Sequence, residues 1–165
     1  MRAVLPEGVV LHASSVAADD RAFVFLAPSG GGKSTVMNKL CGKTFGALAD
    51  DSVIVAKGTD AVIRCLPCGS MKQNVGTENI HAAALRAFCF VEKGPNSVKF
   101  RINGRYAFYR AMRHSSIMAY NDITPEEQRQ AAGFLARLFI SFPVYIFRYG
   151  INDAPEELLN AQNTI

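Results

Sequence analysis

The chain has 165 residues, 49% of them hydrophobic, with a formal net charge of +4 and a pI near 9.0. That length supports one substantial core and excludes two full domains, so residues 1–165 are read as a single domain. No apolar stretch is long enough to cross a bilayer and the first residues show no secretory pattern, so no membrane association is expected and the expected location is cytoplasmic.

The charge excess is small and dispersed. Lys93, Lys99, Arg101, Arg105, Arg110 and Arg113 form a loose group without a recognisable reading module, so nucleic acid is not an expected partner. A solvated face or a surface for an acidic partner accounts for them. Cys65 and Cys68 make one CxxC pair with no second pair to complete a tetrahedral metal site, which favours reduced thiols over zinc.

In chain order, Gly8 to Ala17 reads as a strand carrying His12, and Ala18-Asp19-Asp20-Arg21 as a polar turn into the buried run Ala22-Phe23-Val24-Phe25-Leu26. This hairpin delivers the chain to Ala27-Pro28-Ser29-Gly30-Gly31-Gly32-Lys33-Ser34-Thr35 and the helix-compatible stretch to Leu40. Strand, glycine-rich turn and helix are the context of a phosphate-binding loop. Glycines let backbone N–H groups face an anion, and the helix start adds unpaired donors and the positive end of its dipole. Pro28, Ser29, Gly30, Gly31, Gly32, Lys33, Ser34 and Thr35 would form the cradle, Lys33 reaching the terminal phosphates and Ser34 a Mg²⁺ ion. The motif's first glycine is replaced by Ala27.

Ala47 to Val55 contains Asp50-Asp51, and paired carboxylates about fifteen residues after such a loop suit phosphoryl transfer. One can hold Mg²⁺ and the other take the acceptor proton. Adjacent residues of a strand point to opposite faces, so this division of work requires the backbone to turn there.

Ala61 to Leu66 is read as a strand ended by Pro67, Gly69 to Asn79 as a polar loop with Lys72, and His81 as a helix-edge residue. Leu85 to Glu92 reads as a buried strand interrupted by Arg86, which either lines the site or is a paired structural arginine. Val98 to Ile102 alternates like an edge strand with one wet face. A helix over Arg105 to Tyr120 is expected to bury Phe108, Tyr109 and Met112. Thr124-Pro125-Glu126-Glu127 carries a capping box and starts a second helix with the stripe Ala131, Leu135, Leu138 and Phe142. Val144 to Tyr149 is the last strand, and Asp153 to Glu157 starts a short terminal helix. The elements together predict one α/β domain.

The order His-bearing strand, hairpin, phosphate loop and Asp-Asp, over Leu11 to Ala17, Phe25 to Thr35 and Leu48 to Asp51, resembles the HPr kinase/phosphorylase family and its shorter HPr-kinase-related members. That family shares a superfamily with ATP-dependent phosphoenolpyruvate carboxykinase. The resemblance implies an α/β P-loop kinase domain with a mixed β-sheet flanked by helices, using ATP and Mg²⁺. It further implies that Lys33 and Ser34 bind phosphates and metal, that Asp50 is the base for an acceptor serine, that Asp51 helps hold the metal, and that His12 sits beside them. The implied acceptor is a serine-bearing protein, peptide or small molecule, and a homo-oligomer is implied as well. A nucleotide-binding regulatory module with little transfer activity is the alternative from another class.

Overall fold

The computed structural model describes residues 7–42, 44–68, 81–95, 97–113 and 124–150, with Asn152 and Ala154. Nine strands and three helices are found among the described residues. Gly8–Leu11 (β1) and Ala13–Ala18 (β2) precede Arg21–Leu26 (β3) and the helix Lys33–Leu40 (α1). Gly46–Ala49 (β4), Val53–Lys57 (β5), Ile63–Pro67 (β6), Ala83–Lys93 (β7) and Val98–Ile102 (β8) follow. Gly104–Arg113 (α2), Pro125–Ser141 (α3) and Val144–Tyr149 (β9) complete the set.

All strands belong to one mixed sheet in the order β1-β5-β6-β7-β3-β2-β4, with β9 pairing β7 and β8. The long strand β7 is where the sheet forks. Its first residues, Ala83 and Ala84, pair antiparallel with β6, while Phe88 to Lys93 pair parallel with β9, and β3 runs parallel along its other edge. The parallel strands β3, β7 and β9 therefore end on the same side of the sheet, the position where open α/β sheets bind ligands.

Helices cover both faces. On one, α2 and α3 pack Ala107, Ala111, Ala131, Leu135 and Phe139 against Val24, Leu26 and Phe88. On the other, α1 packs Val36, Met37 and Leu40 against Phe25, Val91 and Phe147. The α3 start is as expected: Thr124 and Glu127 exchange both capping-box hydrogen bonds, at 3.2 and 2.7 Å. Its stripe is broader than expected, with Phe134 and Phe139 buried as well, while Phe142 lies beyond the helix as its C-cap.

Several sequence expectations are corrected. Gly8 to Ala17 is two strands broken at His12, because β1 pairs with β5 while β2 pairs with β3 and β4. The histidine sits at the bend between them. Residues 81–82 lead into β7 instead of edging a helix, since pairing with β3 and β6 overrides the helical preference of the alanines. Arg86 falls where the β3–β7 register slips between Leu85 and Ala87, so the bulge turns it to solvent, away from the strand ends that carry the site. In α2 the buried stripe is Ala107 and Ala111, leaving Tyr109 60% and Met112 44% exposed. The close approach of α2 to α3 explains the preference for small residues: a Cβ on Gly104 would stand 2.6 Å from the Phe139 carbonyl oxygen. In β8 it is Lys99 that is half-buried, its ammonium 5.1 Å from the Tyr145 ring, while Val98 and Phe100 are exposed. Lys72, the expected continuation of the first helix to Tyr120 and the expected terminal helix from Asp153 lie outside the described residues.

Candidate functional site

The hairpin sets the geometry. Asp19 and Asp20 both have positive φ, at 49° and 57°, giving the two-residue turn whose twist matches paired antiparallel strands. β3 then ends at the loop, and β2, running the opposite way, begins beside it. β4 is antiparallel to β2, with Ala49 opposite Ser15, so Asp50 emerges next to the start of β2. Residues 12–14, 28–35 and 50–51 meet for this reason.

Within the loop, Gly30 and Gly32 have φ of +72° and +98°, conformations that glycine adopts without strain. The Gly31 N–H donates to the Pro28 carbonyl at 2.9 Å and closes the turn. A Cβ on Gly31 would lie 2.7 Å from that of Ala27, so the methyl of Ala27 occupies the space that bare Gly31 leaves. That contact explains why alanine is tolerated where the motif has its first glycine. A Cβ on Gly32 would meet the Tyr149 hydroxyl at 2.6 Å, which makes the end of β9 a wall of the loop. Pro28, Ser29, Gly30, Ser34 and Thr35 are exposed, as a cradle open to a ligand requires.

Lys33 is buried at 6% exposure and its Nζ donates to the Ala27 carbonyl at 2.9 Å, the Pro28 carbonyl at 3.3 Å and His12 Nε2 at 3.1 Å. Burial lowers its pKa from the usual value, while the charges of Asp51 and Asp50 act in the other direction. On the other side of the ring, His12 Nδ1 faces Asp51. That nitrogen is 3.1 Å from the Asp51 carbonyl oxygen and 3.2 Å from Asp51 Oδ1. Lys33, His12 and Asp51 thus form one connected chain.

Asp50 belongs to a second group. Its Oδ1 accepts from the Ser34 hydroxyl at 2.8 Å, the Ser14 hydroxyl at 2.5 Å and the Asp51 N–H at 3.1 Å. Strand β4 has ended by Asp50, and Asp51 is left-handed at φ 71°, so the backbone turns as the two-role expectation requires. The turn sends one carboxylate to Ser34 and the other to His12. Sequence reasoning missed Ser14, whose only signal was a hydroxyl in an apolar strand two residues after His12.

On the opposite side of the loop lies an open pocket of about 590 Å³, lined by Pro28, Gly30, Gly31, Glu92, Arg110 and Arg148 among others. Glu92 accepts from Arg110 at 2.6 Å and from Arg148 at 3.0 Å. The Arg110 Nε is buried without a hydrogen-bond partner, and its guanidinium lies 5.2 Å from the Phe90 ring. The sequence reading placed Arg110 in a loose basic group and assigned no role to Glu92 or Arg148.

Among the described residues no group of three or more His, Cys, Asp or Glu side chains could hold a metal. Asp50 and Ser34 could supply one carboxylate and one hydroxyl to a Mg²⁺ ion, a metal that commonly takes its other ligands from substrate phosphates and water. Cys65 belongs to the main core while Cys68 packs at the β1–β5 patch. None of the described helices is long and apolar enough to cross a membrane.

No protein-family model matches the chain, and no curated protein matches it. Among solved structures it is similar to the HPr(Ser) kinase/phosphatase from Coxiella burnetii, with a TM-score of 0.47 and 11% identity over 90% of this chain and 85% of that one.

Proposed function

We propose that this protein is an ATP- and Mg²⁺-dependent phosphotransferase acting on a serine hydroxyl of a protein, peptide or small molecule. The observation that carries this reading is the pair of side-chain groups beside one glycine cradle: Lys33–His12–Asp51 and Ser14–Asp50–Ser34. When bound, Mg·ATP supplies the transferable phosphoryl group and an ion that offsets its charge. The loop N–H groups and Lys33 bind and orient the phosphates. Ser34 and Asp50, already joined by a hydrogen bond, hold the metal.

The Ser34–Asp50 bond favours exchanging the two aspartate roles relative to the resemblance. Asp51 has a side chain 75% exposed and one oxygen against His12, so it is free to accept the proton of an incoming hydroxyl. His12 orients Asp51 and links it to Lys33. Catalysis of this kind depends on positioning and charge neutralisation.

The test is transfer from labelled ATP to HPr, free serine and serine-containing peptides, with Mg²⁺ titrations, for Asp50→Asn, Asp51→Asn and Lys33→Ala. Asp51→Asn is expected to keep Mg·ATP binding and lose transfer, while Asp50→Asn raises the Mg²⁺ requirement. The reverse pattern would return the base to Asp50. Nucleotide binding without transfer to any acceptor would favour a regulatory module.

A further inference from the structure

We propose that the pocket between the phosphate loop and the ends of β7 and β9 is a nucleoside subsite, with Glu92 and Arg148 as its recognition residues. The inference rests on the phosphotransferase reading and adds where the rest of the nucleotide goes. A triphosphate lying in the loop is flanked by two groups of residues. Toward β2 and β4 the surface is taken by His12, Asp50 and Asp51, the groups assigned to metal and acceptor. Toward β7 and β9 the same loop forms one wall of the 590 Å³ pocket, through Pro28, Gly30 and Gly31. That volume is within the range of pockets that hold small molecules.

The lining suits a sugar and a flat base next to a polyanion. The Glu92 carboxylate is held by Arg110 and Arg148 and is a fixed, charged acceptor for hydroxyl groups. The side chain of Arg148 is 42% exposed, leaving guanidinium surface on which a base can stack. Its stem is seated on Gly94, where any Cβ would overlap the Arg148 Cδ, so the guanidinium is directed by packing. Lys93, Arg110 and Arg148 outnumber Glu92 in charge, which favours the phosphate end of a nucleotide nearby. Apolar contact comes from Pro28, Val91 and Pro95.

The experiment compares Mg·ATP with Mg-tripolyphosphate, which has the phosphates and no nucleoside, by calorimetric titration of the whole chain. Arg148→Ala and Glu92→Gln are expected to lose tenfold or more in ATP affinity and less than twofold in tripolyphosphate affinity. Lys33→Ala should lose both ligands. Equal losses for the two ligands in the pocket variants, or ATP affinity unchanged in both, would overturn the subsite and leave the loop intact. Failure of wild type to bind either ligand would overturn the loop reading and the subsite with it. Thermal melts identify a variant that has unfolded, and the second pocket variant then decides.

Discussion

The Ser14 hydroxyl, completely buried in β2, donates to the Asp50 carboxylate at 2.5 Å and shares its Oδ1 with Ser34. An aspartate outside any strand is thereby fixed by a residue inside one. Ser14→Ala removes a charge-assisted hydrogen bond that exposed Asp50 can partly replace with water. A stability loss of about 1 kcal/mol is expected. The larger effect should be on metal use, with several-fold more Mg²⁺ needed for half-maximal transfer, measured by Mg²⁺ titration at saturating ATP.

Gly32 and Gly30 should respond differently to alanine although both have positive φ. At Gly30 there is open space, so Gly30→Ala meets only backbone strain of about 1 kcal/mol. Gly32→Ala adds a collision with the Tyr149 hydroxyl and should cost about 2–3 kcal/mol while abolishing nucleotide binding. Tyr149→Phe in the same chain should recover part of the stability. Denaturant melts of the single and double variants test this coupling.

The Glu92 carboxyl predicts the acid limb of stability. Burial alone would raise its pKa, but the hydrogen bonds and charges of Arg110 and Arg148 outweigh it and hold the carboxyl below its usual 4.5. The unfolded chain therefore binds more protons between the two pKa values. This contribution is complete above 4.5 and is lost as pH falls through the folded value. Glu92→Gln should be less stable near neutrality and show a flatter decline across that acid window, followed by urea melts at stepped pH.

Thiol labelling should separate the four cysteines. Burial pushes the Cys65 and Cys89 thiols up to about 12, while Cys41, also raised by burial, and Cys68 are half-buried. Iodoacetamide at pH 8 should label Cys68 and Cys41 on the native chain and reach Cys65 and Cys89 only in denaturant, as read by peptide mass spectrometry. Fast native labelling of Cys89 would contradict its position in the core.

The legible parts of the fold were those specified within a few residues. The glycine-rich turn between β3 and α1, the Thr124 capping box and β9 each state their structure in their own residues. The single-strand reading through His12 failed because the break is decided by which strands arrive on either side, and Ala83 and Ala84 become strand through pairing alone. The site divided in the same way. Lys33, Ser34, His12 and the aspartates are candidates by motif and the fold brings them together, yet the particular partners of Asp50 and Asp51 depend on how β2 and β4 meet. The Glu92 pairings bridge 18 and 56 residues of sequence, with no local pattern to announce them.

One wall of the phosphate loop is made by residues 148 and 149, although the loop itself ends at residue 35. During synthesis the cradle is therefore written more than a hundred residues before the strand that closes it. A chain halted before Val144 would carry every motif residue and still lack Tyr149 against Gly32 and Arg148 beside Glu92. The glycine-rich turn thus acquires its full surroundings only when the last strand has docked.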